Sequence, residues 1–514
     1  MLGFEPLTPV RFLARAAAAH GERTAVVDGG AERTYAELWE RSRRLAGALR
    51  DLGVAPGDRV AVLSPNVSGL LEAHFGVPLA GAVLVALNIR LHPEELDGIA
   101  AHAGADVLLY DGDLEDVASQ IGGPSTRVRA GEEYDGLLAA AEPLERPCED
   151  ERGLLALNYT SGTTGRPKGA MYCGRGAFLQ ALAMVVHAGL QPSSRFLWVL
   201  PMYHCNGWCF PWAVTAAGAT HLCLRRVEPG AIWRALHEDG VTHFCGAPTV
   251  LSDLVQHADA SPVPQPVHVC TGGAPPSPTL LSRLADLNIA VTHLYGLTET
   301  YGPAVVCDWH PEWNAAEPGE QARLKARQGV ANVVGRVLRV ASESGEDVPA
   351  DGETMGEVLV RGDNVMLGYY KDPEATAAAS LDGWFRTGDL AVMHPDGYVE
   401  LRDRAKDVIV SGGENIASIE VEHAVASHPA VAEVAVIGVP HERWGETPAA
   451  YVALREGAQV TEEEIVAHAR EHLASFKVPR KVVFGPLPKT GTGKVMKYEL
   501  RERAWAGRDR RVAG

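Results

Sequence analysis

The chain has no apolar run long enough to cross a bilayer. Its most apolar stretch, Phe75 to Ile89, is about 15 residues long with Pro78 inside, where a spanning helix needs roughly 20. Signal-peptide character is also missing, because Glu5, Pro6 and Pro9 precede any apolar run. Thr8-Pro9 ahead of Arg11 to His20 and Gly21 predicts a capped helix there instead. Long Lys/Arg runs are missing, and 47 Lys and Arg stand against 65 Asp and Glu, for a formal net charge of −18. That balance argues against nucleic acid as a partner and reads as a solubility feature. Cysteine is scarce: eight in 514 residues, with no Cys-x-x-Cys pair. This density excludes a disulfide scaffold and predicts reduced thiols in a cytoplasmic protein. His204, Cys205 and Cys209 lack the paired partner a zinc site needs, so the core reading is favoured for them. There are no internal repeats.

What is present is an ordinary globular composition, 46% hydrophobic and 22% charged, with length for roughly three or four domains. Strands and helices alternate early. Thr24 to Val27, Arg59 to Leu63 and Asp106 to Tyr110 read as strands. Tyr35 to Leu52, capped by Thr34, and Glu94 to Ala103 read as helices. Further strands are expected at Leu154 to Leu157, Phe196 to Pro201, Thr220 to Leu224, His243 to Gly246, Val267 to Thr271 and Val291 to Tyr295. From about Ala331 short strands and turns dominate, such as Gly356 to Gly362 and Gly397 to Arg402. After the charged stretch Asp403 to Asp407 come a helix from Ile419, strands Glu433 to Val439 and Ala449 to Leu454, and a helix capped by Thr461 with Glu464. The fold class expected is α/β: a large N-terminal domain of layered α/β sheets with a β-rich subdomain, residues 1–403, and a small mobile α+β C-terminal domain, residues 404–514. Residues 111–150 show no pattern.

Residues 159–169, Tyr-Thr-Ser-Gly-Thr-Thr-Gly-Arg-Pro-Lys-Gly, carry the strongest chemical signal. They follow a short apolar strand. Gly162, Gly165 and Gly169 admit an anion close to the backbone, whose N–H groups form a concave site. Thr160, Ser161, Thr163 and Thr164 add hydroxyl donors and Lys168 a point charge. The segment is not a Walker A loop, since Pro167 precedes Lys168 and no Gly-Lys-Ser/Thr opens a helix. The alternative is a polar surface turn.

Three weaker signals follow. Tyr295-Gly296-Leu297-Thr298-Glu299-Thr300 comes after an expected strand, where open α/β sheets bind ligands. Thr298 can donate to a phosphate and Glu299 suits Mg²⁺, although the hexapeptide equally suits a helix start. In Trp384 to Leu390, Asp389 sits at the beginning of a strand; its two oxygens match a ribose diol, or it is an ordinary Asp turn. Pro488 to Lys494 surrounds Lys494 with Gly and Thr, where a solvated lysine is the plain alternative.

In order and context these four segments resemble the adenylate-forming superfamily of acyl-CoA synthetases, nonribosomal adenylation domains and luciferases. The resemblance extends to Pro201 to Trp208, Cys270 to Pro275 and Ser411 to Ile416, and so covers nearly the whole chain. Tyr295 to Asn314, with Cys307, Trp309 and Trp313, is most similar to acyl-CoA ligases of fatty-acid and plant acyl-activating type.

The resemblance implies a two-step reaction with ATP, Mg²⁺ and coenzyme A. A carboxylate attacks the α-phosphorus of ATP to give acyl-AMP and pyrophosphate, and the CoA thiol then takes the acyl group and releases AMP. By that likeness Thr160 to Lys168 would hold the β- and γ-phosphates. Thr298 would contact the α-phosphate and Glu299 would bind Mg²⁺. Gly272, Gly273 and Ala274, with Tyr295 and Gly296, would form the adenine slot. Asp389, assisted by Arg404, would hold the ribose, and Lys494 would bridge carboxylate and α-phosphate. Lys406 matches the hinge of the mobile domain, and Gly412 and Gly413 would line the pantetheine channel after rotation. His204 occupies the aromatic gate position, with a satisfied core histidine as its alternative.

Cys173-Gly174, where relatives often carry Ser-His, and Ile416-Ala417-Ser418 in place of Ile-Ser-Ser depart from the pattern. Trp208, Phe210, Trp212, Cys245 and Pro248 suggest a pocket for a medium, long or bulky hydrophobic acid, or are core. The expected function is an AMP-forming acyl-CoA ligase acting on a hydrophobic carboxylic acid. The competing readings are an acyl-AMP ligase feeding a carrier protein, a ligase retaining only the thioester half-reaction on supplied acyl-AMP, and a nucleotide-binding protein without catalysis. Neither nucleic acid nor an integral membrane is an expected partner; a homodimer is the assembly considered.

Overall fold

The computed structural model describes residues 3–160, 167–404, 407–411, 414–441, 444–489 and 495–506. The chain divides into two compact units. The larger comprises Met1–Leu338 and Val360–Phe385, and the smaller Arg339–Leu359 and Arg386–Gly514.

The larger unit is built on two sheets. One has six strands in the order Thr126–Arg129, Ala105–Tyr110, Arg59–Leu63, Val83–Ala86, Leu154–Thr160 and Lys168–Cys173. All neighbours are parallel except the last pair, which is antiparallel. Val83–Ala86 is buried at every position, as a parallel strand covered on both faces must be. The nine-stranded sheet runs Val330–Ala331, Gly302–Val306, Ile289–Leu297, Val267–Thr271, His243–Gly246, Arg195–Leu197, Thr220–Leu222, Thr24–Asp28, Ala31–Thr34. Its centre is parallel and its outer strands antiparallel. The strands of both sheets are linked mainly by helices, as the alternation predicts.

Local chemistry sets the element ends. Thr34 Oγ1 accepts from Glu37 N while Glu37 accepts from Thr34 N, starting the helix Tyr35–Asp51. Thr461 and Glu464 repeat that box at Glu462–His472 in the smaller unit. The helix Val10–His20 differs from expectation, since Pro9 precedes it and no side chain caps it. The apolar stretch Phe75 to Ile89 is shared between the helix Ser68–Leu79 and the strand Val83–Ala86. Among the described residues no helix is long and apolar enough to cross a membrane. The expected strand Phe196 to Pro201 stops at Leu197, because Asn66 takes over. Its Nδ2 donates to Trp198 O and Leu200 O, and its Oδ1 accepts from Met202 N. The patternless region 111–150 holds the short helices Glu115–Ala118 and Glu132–Ala140 and the strand Thr126–Arg129.

The strand pairs Arg339–Ala341 with Met355–Val360 and Trp384–Met393 with Val399–Arg404 supply the β-rich part foreseen from about Ala331. The rest of the smaller unit is a second sheet of Glu414–Ile416, Ile409–Ser411, Gly445–Leu454, Val431–His441 and Lys481–Phe484. The helices Ser418–Ala426 and Glu462–His472 supply Val421, Val425, Ile465 and Ala469 to the core on that sheet.

Three histidines of the larger unit's interior are held neutral by burial: His74 and His293 at about 4 and His221 at about 3. The His221 ring shows why. Trp198 Nε1 donates to its Nδ1, so the neutral tautomer has only Nε2–H to offer Thr215 Oγ1. An unfolded histidine protonates near 6.5, so the unfolded state takes up protons first. Stability is therefore full above about pH 6.5 and is lost as pH falls towards 4. Thermal melts should show Tm falling by several degrees between pH 7 and pH 5. A Tm unchanged over that window would mean that these rings already carry protons in the native state.

Candidate active site

The strand Leu154–Thr160 leads into the glycine-rich segment and Lys168–Cys173 leads out of it, with Thr160 paired to Lys168. Ser161, Gly162, Thr163 and Thr164 lie outside the described residues. Gly169 lets the Tyr159 ring come close, since a Cβ there would lie 3.1 Å from that ring. The free edge of this hairpin is closed by residues 367–370: Met171 N donates to Gly368 O and Tyr370 N to Gly169 O. That contact places Tyr369, a residue no sequence motif singles out. Lys168 Nζ stands 5.1 Å from the centre of its ring, and its hydroxyl donates to Glu299 Oε1 at 2.7 Å. One tyrosine thus joins the cation of the first motif to the carboxylate of the second.

The second motif straddles a strand end. Tyr295 and Gly296 close the strand Ile289–Leu297, and Thr298–Thr300 form one 3₁₀ turn. A Cβ on Gly296 would lie 1.9 Å from Gly302 O, so strand pairing alone requires glycine there. Thr300 Oγ1 accepts from Leu297 N and donates to Gly302 O. Tyr172 donates to Thr298 O at 2.6 Å and stacks on Tyr301 at 3.9 Å between ring centres. Thr298 and Glu299 are thereby held from three sides. Tyr369 occupies Glu299 Oε1, and the carboxylate's other oxygen has no partner among the described residues. A half-buried hard oxygen donor of this kind fits Mg²⁺.

His204 precedes an unusual turn. Cys205, Asn206, Gly207, Trp208 and Cys209 have φ of 50°, 49°, 57°, 55° and 65°, a left-handed run of five residues of which four are not glycine. Each non-glycine residue there costs roughly 1–2 kcal/mol, so the turn persists only under constraint. Cys205 Sγ donates to Thr298 Oγ1 at 3.4 Å and lies 3.7 Å from His204 Nε2. Trp208 is laid against two glycines: a Cβ on Gly302 would meet its Cδ1 at 2.8 Å, and one on Gly272 its Cη2 at 3.2 Å. Gly272 ends the strand Val267–Thr271, and beyond it Gly273, with φ 88°, and Ala274 are exposed. Tyr295 is buried nearby in sequence, on the neighbouring strand.

The larger unit thus gathers Thr160, Lys168, His204, Gly272, Tyr295, Gly296, Thr298 and Glu299 on strand ends and the turns that follow them. Phe210, Trp212 and Cys245, weighed above as pocket residues, are fully buried in its core, with Trp212 Nε1 donating to His74 O.

Asp389 and Arg404 belong to the smaller unit and stand directly opposite each other on paired strands. Asp389 lies mid-strand rather than at its beginning, and its backbone N–H donates to Thr387 Oγ1, which in turn donates to Val358 O. Lys406, Gly412, Gly413 and Lys494 lie outside the described residues. The residues flanking Lys406 are firmly tied. Asp403 accepts from Ser418 N and Oγ, and Asp407 pairs with Arg501 at 2.5 Å. Lys497 donates to Ser418 Oγ and pairs with Glu422 at 2.7 Å. Burial works against the Lys497 charge, yet Glu422, Asp407 and Asp403 raise its pKa overall.

These contacts also account for the two departures. Asp403 serves the N-terminus of Ser418–Ala426, so Ala417 need not cap it. Cys173 Sγ caps Gly174–Ala188 by accepting from Gly176 N. All eight cysteines are free. Among the described residues the side chains with metal-ligand geometry are His468, Glu471 and His472 on a helix of the smaller unit.

The AMP-binding enzyme family model matches residues 13–370, and the model of its C-terminal domain matches residues 420–494. The chain is 42% identical to an acetate–CoA ligase of Humulus lupulus and 43% identical to a peroxisomal acetate/butyrate–CoA ligase of Arabidopsis thaliana. Each alignment covers 98% of this chain and 95% of the relative. Its fold matches the crystal structure of ATP-bound MatB from Rhodopseudomonas palustris with a TM-score of 0.84 and 29% identity, over 96% of this chain and 98% of that one. Matched by both family models and by curated CoA ligases over nearly its whole length, the chain belongs to the AMP-binding enzyme family and is an AMP-forming acyl-CoA ligase.

Proposed function

We propose that the acid this ligase activates is a compact monocarboxylic acid of short chain, and that the residues assembled above divide the two half-reactions between them. The observation that carries the substrate reading is Trp208, whose indole fills the space between Gly272 and Gly302 while its neighbour Cys205 touches Thr298. Of the five side chains weighed for a medium, long or bulky acid, Phe210, Trp212 and Cys245 are closed into the core. The two plant relatives, named for acetate and butyrate, agree with a small acid.

In the first half-reaction Thr160 and Lys168, with Ser161 to Thr164, hold the β- and γ-phosphates. Thr298 donates to the α-phosphate, and Glu299, fixed by Tyr369, would hold Mg²⁺, which when bound would neutralise charge on the phosphates. The adenine lies by Gly272, Gly273, Ala274 and Tyr295, and the ribose diol by Asp389 with Arg404. The acid's carboxylate oxygen bonds to the α-phosphorus, pyrophosphate leaves, and Lys494 stabilises the charge that builds between them. In the second half the CoA thiol gives its proton to solvent and its sulfur bonds to the acyl carbon, while the bond from that carbon to the AMP oxygen breaks and AMP leaves with the bonding pair. Residues 404–514 turn about Lys406 between the halves, which brings Gly412 and Gly413 to the pantetheine arm. His204 borders the acyl group. We place the enzyme in the cytoplasm on the strength of its eight free thiols, and no step requires a second subunit.

The test is acid-dependent ATP–pyrophosphate exchange and, separately, CoA thioester formation, over a series from acetate to palmitate. Both rates should peak at or below about six carbons. A peak at twelve carbons or more would overturn the substrate reading, and exchange without thioester would favour transfer to a carrier protein.

A further inference from the structure

We infer that Asn158 is a positioning residue that locks the left-handed turn Cys205–Cys209 and through it the acid-binding side of the site, an inference that rests on the substrate-side reading given above. Asn158 is 2% exposed, on the strand Leu154–Thr160 two residues before the phosphate loop begins. Its carboxamide donates one bond to, and accepts one bond from, a single residue 48 positions away. Asn158 Nδ2 donates to Asn206 Oδ1 at 2.5 Å, and Asn158 Oδ1 accepts from Asn206 N at 3.1 Å. Backbone and side chain of Asn206 are thus gripped together.

Among the described residues no other group bonds the N–H or the Oδ1 of Asn206. Asn206 is fully buried, and its Nδ2 has no partner among the described residues. Without Asn158 its N–H and Oδ1 would join that orphan in a dry interior. The left-handed backbone of four non-glycine residues would then keep only its local bonds, Gly207 N to His204 O and Cys209 N to Asn206 O, and the weak thiol contacts of Cys205 and Cys209.

What the turn carries makes the grip functional. His204 and Cys205 lie on one side of Asn206, with Cys205 Sγ on the Thr298 hydroxyl, and Trp208 lies on the other side against Gly272 and Gly302. Asn158 is also paired across the hairpin with Ala170, which bridges to Tyr369, the residue beside Lys168 and Glu299. A single carboxamide therefore registers the turn that faces the acid against the strand that feeds the triphosphate loop. A small displacement of such a turn is costly for reaction geometry.

The test compares Asn158→Ala with the wild-type enzyme in two measurements. The first is KM for butyrate and for ATP in pyrophosphate exchange. The second is amide hydrogen exchange of the peptide covering residues 203–210. The butyrate KM should rise about tenfold or more, the ATP KM should stay within about threefold, and the peptide should exchange faster. Adding Asn206→Gly, which tolerates positive φ without a holdfast, should restore much of the butyrate KM. If Asn158→Ala does not fold, Asn158→Ser keeps a hydroxyl but cannot span both bonds, and should show the same selectivity at about threefold. Equal rises in both KM values, an unchanged butyrate KM, or unchanged hydrogen exchange each overturn the inference. The substrate reading fails separately, if the wild-type enzyme itself shows no butyrate-dependent exchange.

Discussion

Lys494→Ala is expected to lower acid-dependent ATP–pyrophosphate exchange by roughly 10²–10³-fold while leaving thioester formation from supplied acyl-AMP within about threefold. The reason lies in where charge appears. In adenylation an anionic carboxylate approaches an anionic α-phosphate, and a cation between them is worth far more at the transition state than in the separate reactants. In thioester formation the mixed anhydride already exists and the attacking thiol is largely neutral, with a pKa near 8.5. The same lysine has no comparable charge to meet there. In sequence Lys494 ends the segment Thr490-Gly491-Thr492-Gly493-Lys494. Measuring both half-reactions on the same preparation checks the claim. Equal loss of both would mean that the residue supports the fold or a shared binding step, and the alternation about Lys406 would lose its main support.

Glu299→Gln is expected to reduce exchange by roughly 10²-fold and to shift its Mg²⁺ dependence to higher concentration. The substitution is informative because of Tyr369. Glutamine keeps a carbonyl oxygen to accept from the Tyr369 hydroxyl, so the 2.7 Å contact and the turn it steadies can persist. What disappears is the negative charge on the oxygen left open. Tyr369→Phe makes the opposite change, keeping the charge and removing the restraint, and should cost about tenfold with little change in the Mg²⁺ midpoint. If Glu299→Gln stays within threefold of wild type at every Mg²⁺ concentration, the carboxylate does not hold the metal.

The parts of this molecule written in local pattern could be read from its residues. Thr34 with Glu37 and Thr461 with Glu464 announce helix starts because a cap is a contact between near neighbours. The alternation of apolar strands with amphipathic helices gives the layered α/β class, since a parallel strand has no other way to return. The glycine and hydroxyl clusters are local patterns too, and the proposed phosphate side rests on them.

Long-range contacts left no such trace. Tyr369 reaches Glu299 across 70 positions, and Tyr172 reaches Thr298 across 126. Each is a lone tyrosine in an unremarkable context. Asn158 left a faint one: a polar residue ending the apolar run Leu154 to Leu157, buried to the same degree as its neighbours. In Cys205-Asn206-Gly207-Trp208-Cys209 only Asn206 and Gly207 are residues that accept positive φ readily, so the extent of the left-handed turn was hidden. Phe210 and Trp212 look alike for a pocket wall and for a core, and only packing separates them. Residues 111–150 carry short elements that bury little, with Tyr134 and Leu138 the buried residues of Glu132–Ala140, too few to make a visible period.

The central claim is that glycine-lined segments far apart in sequence serve one nucleotide. The most direct measurement is a crystal structure of the enzyme with ATP. The account predicts the β- and γ-phosphates within hydrogen-bonding reach of Thr160 and Lys168, the α-phosphate at Thr298, and the ribose diol on Asp389. A nucleotide bound away from Lys168 and Asp389 would contradict it.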